Sequence, residues 1–203
     1  MIRFFLLSLS LLFFSYPAIA ETIVPMAMES HRFSQNDNQI STGKVGPFVI
    51  GKPLNKIGLQ RKSLLKDNET GWEEGVQYQS EFYYFTKGGE NLLKIYCEVS
   101  SGTEVVDEIH VISNKFATDR NIGVGSKIQD FVEKYPNFIV WYTYVSQRFI
   151  IESPDLRGMQ FNLEEKTYLG VREKMFEKST INLRIQDFNL NGTIKSIRVF
   201  KNF

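Results

Sequence analysis

Apolar and polar residues alternate along three neighbouring stretches in the first half of the chain. Two turn-forming segments, 87–90 and 100–103, separate these stretches. Alternation with period two between turns is typical of antiparallel strands that bury one side. The apolar residues that share a face are Val76, Tyr78, Phe82 and Tyr84, then Leu93, Ile95, Cys97 and Val99, then Ile109 and Val111.

The segment before these strands predicts a strand end, a turn and a short helix. Residues 48–50 form the strand end, Gly51 makes the turn, and Pro53 begins a helix that reaches Ile57. Proline suits the first helical turn because its missing N–H has no partner there. We expect a polar loop from Gln60 to about Gly75.

The second half opens with the clearest helix pattern, after the glycine-rich segment 122–126. Ser126 is a candidate N-cap, and Gln129 three residues later completes a capping box. Apolar residues follow at helical spacing, and Pro136 ends the helix. These apolar residues are Ile128, Phe131, Val132 and Tyr135.

Strand patterns follow the helix at 138–145, 148–152 and 159–163. Asn191-Gly192 is a strong signal for a tight hairpin turn. It predicts that a strand at 183–188 pairs with one at 193–200.

The two halves therefore predict an α+β fold of two similar units, each a short helix followed by an antiparallel β-meander. The last strand, 194–199, has the same pattern of apolar positions as the segment 106–111. We expect one globular domain over 43–203, with units at about 43–116 and 117–203. The sheets of two such units can join edge to edge and so hide their exposed strand edges.

The N-terminus has the three parts of a secretory signal peptide. Arg3 is followed by an uncharged apolar run, Phe4 to Phe14, and Ala18 to Ala20 gives the small-residue cleavage pattern before Glu21. This run is too short for a spanning helix, which needs about 20 residues. We predict residues 1–20 to be a signal peptide and 21–42 a flexible leader. The product is then an exported soluble protein with no transmembrane segment after signal removal.

Charge and cysteine content narrow the class further. The chain has 24 basic and 23 acidic residues, and Arg3 leaves with the signal. Such a balance argues against nucleic-acid binding, which needs a clustered cationic surface. Cys97 is the single cysteine, so an internal disulfide is excluded, and its place in an apolar alternation predicts a buried side chain. Few cysteines in an exported chain favour the bacterial periplasm, although secretion is an alternative.

Candidate chemistry is sparse, and we predict no catalytic residue, metal ligand or cofactor site. His31 falls in the leader, and His110 alternates with apolar neighbours, which places it on the solvent side of a strand. The segment 123–127 lacks the residue order of a phosphate loop. Neighbouring residues on a strand point to opposite faces, so adjacent carboxylates do not converge by themselves. The adjacent pairs are Glu73-Glu74, Asp107-Glu108 and Glu164-Glu165.

Aromatic residues, 14% of the chain, give the most informative candidate surface. The runs 82–85 and 141–144 place rings on both sides of their strands. Exposed tyrosine and tryptophan are favoured at protein-binding surfaces. We therefore name Tyr83, Phe85, Trp141 and Tyr144 as a possible partner-binding surface. The alternative is that both faces of these strands are buried.

The layout resembles the RpoE-regulated lipoprotein family of bacterial envelope proteins. The resemblance rests on Gly51-x-Pro53-Leu54, the segments 87–90, 102–111 and 122–126, and the closing strand 194–199. The chain departs from that family because it lacks a lipid-bearing cysteine. More broadly, the pairing of a helix with an antiparallel sheet is similar to periplasmic modules of the β-lactamase-inhibitor-protein type. Both resemblances imply a non-enzymatic envelope protein.

These observations lead to one preferred function and two alternatives. The preferred hypothesis is an exported, non-enzymatic protein that binds another envelope protein or component through the aromatic sheet surface. One alternative is a hydrolase with convergent carboxylates, which requires two carboxyl groups in a shared pocket. The other is a small-ligand-binding protein with an apolar pocket between the two halves.

Overall fold

A computed structural model describes residues 38–57, 63–73, 76–176 and 178–201. The predicted signal peptide, its cleavage site at Ala20 and Glu21, most of the leader and His31 lie outside these residues. Ile40 lies in the first strand and is 1% exposed. The packed part of the chain therefore includes a residue that lies before the predicted boundary at residue 43.

The fold is a large antiparallel sheet with one α-helix and a small three-stranded sheet. The small sheet comprises β1 (Ile40–Ser41), β2 (Lys44–Val45) and β3 (Phe48–Val49). The helix is α1 (Ile128–Lys134). The strands of the large sheet are β4 (Leu64–Glu73), β5 (Val76–Lys87), β6 (Glu90–Ser100), β7 (Thr103–Val111), β8 (Ile139–Thr143), β9 (Arg148–Glu152), β10 (Met159–Leu163), β11 (Thr180–Leu183) and β12 (Ile194–Phe200).

The nine strands lie in the order β11-β8-β9-β10-β12-β7-β6-β5-β4, and every neighbouring pair is antiparallel. Thus β7 and β12, the last strands of the two halves, lie side by side at the join. The α+β class, dominated by antiparallel sheet, is confirmed. The prediction of two similar units is not confirmed. The first half has a small sheet and a 3₁₀ turn where the second has α1.

The hydrophobic core lies on one face of the large sheet, under α1 and the small sheet. Phe131 of α1 is fully buried, and its ring centroid lies 4.9 Å from that of Phe161 in β10. Phe48 of β3 contacts Phe85 of β5, with 5.2 Å between ring centroids. These two aromatic contacts attach the covering elements to the sheet.

The start of α1 differs from the predicted capping box. Lys127 is the N-cap and contributes no side-chain bond, while the Ser126 hydroxyl accepts a bond from Gly123 N–H. The Gln129 side chain bonds instead to Glu133. The first helical N–H groups donate to the carbonyls of Gly192 and Leu190, so a distant loop caps the helix.

That loop contains Asn191-Gly192, and the predicted hairpin there is wrong. Residues 185–187 form a 3₁₀ helix, and β11 ends at Leu183 and pairs with β8 at the edge of the sheet. The turn is used to cap α1 and to lead into β12, which pairs with β7 and β10.

The polar loop predicted from Gln60 to Gly75 is also wrong over most of its length, because β4 occupies Leu64–Glu73. This strand pairs with β5 and forms the other edge of the sheet. Its described side chains are mostly exposed, so the strand does not need the alternation of apolar and polar residues that marks a half-buried strand. Charged side chains are also common on edge strands, because they discourage further pairing. The predicted helix at 53–57 is a single 3₁₀ turn, Leu54–Lys56.

Candidate functional site: a polar groove across the sheet

The face of the sheet opposite α1 carries a groove of about 610 Å³. Two buried apolar residues, Phe82 and Ile150, lie on this face and are separate from the main core cluster. Both halves of the chain contribute to the lining. The first half supplies Glu69, Tyr78, Tyr96, Asp107, Glu108 and His110, and the second supplies Trp141, Thr143, Arg148, Ile150, Gln160 and Arg198, among others.

Strand register places four polar residues side by side, and we call them the polar row. Gln160 of β10 is paired with Arg198 of β12, Arg198 with His110 of β7, and His110 with Lys94 of β6. Directly paired residues on one face of an antiparallel sheet are close enough for their side chains to interact. The row therefore crosses the join between the two halves as a continuous polar band.

A β-bulge brings two carboxylates to the groove beside the polar row. Tyr96 is paired with Glu108 and Cys97 with Val106, which leaves Asp107 as an extra residue on β7. Both Asp107 and Glu108 line the groove. The expectation that these neighbours point apart is therefore wrong, because the bulge interrupts the alternation on which it rested.

Glu108 is held between His110 and Arg198. Its carboxylate contacts His110 Nε2, and its Oε2 lies 2.5 Å from Arg198 Nη2. Burial of Glu108 raises its pKa, but the hydrogen bonds and positive charge of His110 and Arg198 outweigh burial and lower the pKa to about 2. Arg198 also donates to Gln160 Oε1 over 3.2 Å. Glu108 is thus a fixed anion.

A second fixed anion, Glu69, lies at the β4 side of the groove. Its carboxylate receives hydrogen bonds of 2.5 Å from Lys94 Nζ and from the Tyr96 hydroxyl. Burial raises the pKa of Glu69, but these two bonds outweigh it and the pKa is lowered. The Tyr96 ring lies between those of Phe82 and His110, at centroid distances of 5.7 and 5.1 Å. Tyr96 is therefore locked in place.

Trp141 and Glu152 continue the polar face toward β8. Trp141 lines the groove. Burial raises the pKa of Glu152, and the nearby Gln160 and Trp141 side chains oppose this shift. Trp141 therefore adds an aromatic ring to the β8 side of the groove.

Two charged side chains in the groove make no ion pair within the described part of the chain. They are Asp107, the extra residue of the bulge, and Arg148 at the start of β9. They are exposed, unlike the partly buried Glu108 and His110. These two groups are therefore available to a ligand.

The structure does not bring the four predicted surface residues together. Phe85 is 1% exposed and packs in the core, and Tyr83 lies on the same face, where its hydroxyl donates to Glu104 over 2.6 Å. Trp141 lies on the opposite face, in the groove. Tyr144 lies in the turn after β8 and is 47% exposed. Of the four, Trp141 lines the groove, and Tyr144 lies between two chain neighbours that do, Thr143 and Val145.

Four residues of the site were not predicted from the sequence: Tyr96, Glu108, Arg198 and Gln160. Alternation placed Tyr96 opposite its apolar neighbours, which was a usable signal for a solvent-facing ring. No sequence signal pairs β7 with β12, so the contact between Glu108 and Arg198 could not be found. His110 is on the polar face, as its alternation predicted, and it is linked to Glu108.

The thiol and metal chemistry of the described residues is limited. Cys97 is half-buried, and burial raises its pKa to about 12, so the thiol stays protonated at neutral pH. Across the described ranges, no three His, Cys, Asp or Glu residues are placed to hold a metal ion. None of the helices in these ranges is long and apolar enough to cross a membrane.

Comparison with known proteins identifies a shared fold. No family model matches the sequence, and no curated protein matches it either. Among solved structures, the chain is similar to the uncharacterized protein YfeY from Escherichia coli, with a TM-score of 0.53 and 13% identity. The match covers 80% of this chain and 99% of that chain. At this identity the likeness shows a shared fold and no more, and it does not support the likeness to β-lactamase-inhibitor-type modules.

Proposed function

We propose that this is an exported, non-enzymatic binding protein of the bacterial envelope, with its binding site in the groove. The observation that carries this proposal is the polar row with its fixed anions, Glu108 and Glu69. Their side chains are hydrogen-bonded before any ligand arrives. Such preorganisation lowers the entropic cost of binding. The volume of the groove also falls within the range of small-ligand sites, about 300–1,000 Å³.

The titration properties of the groove favour binding over acid–base catalysis. Glu69, Asp107 and Glu108 share the groove, which meets the condition set for a carboxylate hydrolase. A general acid or base works best with a pKa near the working pH. Ion pairing instead lowers the pKa of both Glu69 and Glu108. These carboxylates therefore suit a role as hydrogen-bond acceptors.

Our first test concerns the role of the groove. A groove variant, Trp141→Ala with Arg148→Ala, should retain about tenfold less material from an envelope extract than the wild type, because it loses a ring and an unpaired cation. A control variant, Leu169→Ala with Arg184→Ala, changes two exposed residues outside the groove. Each protein is immobilised and exposed to the extract, and the protein, lipid and carbohydrate in the eluate are then measured. Equal retention by all three proteins would contradict the proposal. Tyr144 stays a candidate contact at the rim.

Our second test concerns export. The proposal predicts that the mature chain begins at Glu21 and is recovered from the periplasm or the medium. Mass spectrometry of the purified N-terminus and cell fractionation provide the measurement. Ala20→Arg should block cleavage because signal peptidase requires small residues there. Ala27→Arg, beyond the cleavage point, should be processed normally. A cytosolic chain that retains residues 1–20 would be inconsistent with export.

A further inference from the structure

We infer that the groove binds a neutral, hydroxyl-rich ligand of the saccharide class, which rests on the proposed binding function and specifies its ligand. Three properties of the groove support this inference: its balanced charge, its aromatic rings and its planar polar side chains. Each restricts the ligand in a different way.

The charges in and beside the groove largely cancel. Glu69 is paired with Lys94, and Glu108 is paired with Arg198 and His110. The two unpaired charges, Asp107 and Arg148, are of opposite sign. A site for a polyanion needs a cluster of uncompensated cations. This groove lacks such a cluster among its described residues, so its charge balance favours an uncharged ligand.

Among the described residues, the aromatic side chains of Trp141, Tyr96 and Tyr78 line the groove. One face of a sugar ring presents C–H groups, which pack against an aromatic ring while the hydroxyl groups point elsewhere. Tyr96 is restrained by its hydrogen bond to Glu69 and by its ring contacts with Phe82 and His110, so little side-chain entropy is lost when it binds a ligand. Trp141 supplies a second, larger apolar ring on the opposite side of the polar row.

The remaining lining carries planar groups with two donors or acceptors each. Arg148 and Asp107 can each bond two neighbouring atoms of a ligand, as the geometry of these side chains allows, and the Gln160 amide nitrogen can add a single donor. Neighbouring hydroxyl groups of a sugar match that spacing. A lipid chain could not satisfy these groups and would leave them buried without partners. A cavity of about 610 Å³ has room for a short oligosaccharide.

Isothermal titration of the mature protein with three trisaccharides tests the inference. Chitotriose represents the N-acetylated glycans of cell walls, maltotriose represents unmodified hexose polymers, and trigalacturonate is an anionic control of the same length. We expect at least one neutral trisaccharide to bind with a Kd of about 1 mM or below, and trigalacturonate to bind about tenfold more weakly. The preferred neutral trisaccharide identifies the source of the natural ligand.

Two groove variants locate the binding. Trp141→Ala should weaken binding by about tenfold or more, and Trp141→Phe should restore part of it because a ring is retained. Leu169→Ala should bind like the wild type. Thermal melting of each variant, measured first, separates lost binding from lost folding.

Two results would overturn the inference. One is the absence of binding by either neutral trisaccharide at millimolar concentration. The other is a preference for trigalacturonate. If the groove variant still fails to retain envelope material, the binding function stands and only the ligand class is wrong. If retention does not depend on the groove, the proposed function fails as well.

Discussion

Replacing Phe131 with alanine is expected to lower the free energy of unfolding by about 4 kcal/mol, as for other large buried aromatic residues. The side chain is 0% exposed and packs against Phe161 of β10 and Tyr135. A seven-residue helix is not stable alone, so α1 depends on this contact. Chemical denaturation monitored by circular dichroism provides the measurement.

Two further variants make the Phe131 result specific. Phe131→Leu keeps most of the apolar volume. It should lower the free energy of unfolding by less than half as much as Phe131→Ala does. Glu133→Ala, on the exposed side of α1, should change stability by no more than about 0.5 kcal/mol. If Phe131→Ala cost no more than Glu133→Ala, the packing of α1 on the sheet would be incorrect.

Lowering the pH toward 2 is expected to reduce the free energy of unfolding by about 3 kcal/mol because Glu108 becomes protonated. In the unfolded chain this carboxyl has a pKa near 4.5, whereas in the folded protein its pKa is about 2. Between these values the unfolded chain takes up a proton that the folded protein does not. The stabilisation is therefore fully present above pH 4.5 and is lost as the pH falls toward 2. Each unit between the two pKa values is worth about 1.4 kcal/mol.

The variant Glu108→Gln should flatten this part of the pH profile, because its side chain does not titrate. Arg198→Met should lower stability at pH 7 by about 3 kcal/mol, since it leaves a mostly buried carboxylate with a weaker set of partners. Unfolding curves between pH 2 and 7 provide the measurement. A Glu108→Gln profile parallel to the wild-type profile would show that Glu108 is not the titrating group.

The sequence predicted the elements that depend on local patterns. Alternation and glycine turns located β6, β7, β9 and β10, and helical spacing with Pro136 located α1. In β6, β7 and α1 the pattern was readable because the side chains are divided between a buried and a more exposed face. In β9 and β10, which are buried on both faces, the apolar content itself was the signal. The edge strand β4 was missed because most of its described side chains meet water.

Features that depend on distant contacts could not be predicted. Asn191-Gly192 carries a hairpin signal, but its loop caps α1, more than sixty residues earlier in the chain. The bulge at Asp107 depends on the register against β6, which no local pattern specifies. The groove depends on the pairing of β7 with β12, so His110 and Arg198 become neighbours only in the folded sheet.

The polar row lies where the two halves of the chain join, so ligand binding there should also stabilise the pairing of the two halves. A fragment ending before residue 117 would carry Glu108 and His110 without Arg198, and the complementary fragment would carry Arg198 without its acidic partner. A bound molecule that touches both sides would act as a bridge and oppose separation of β7 from β12. Occupancy should therefore protect the amide hydrogens of these two central strands from exchange with solvent.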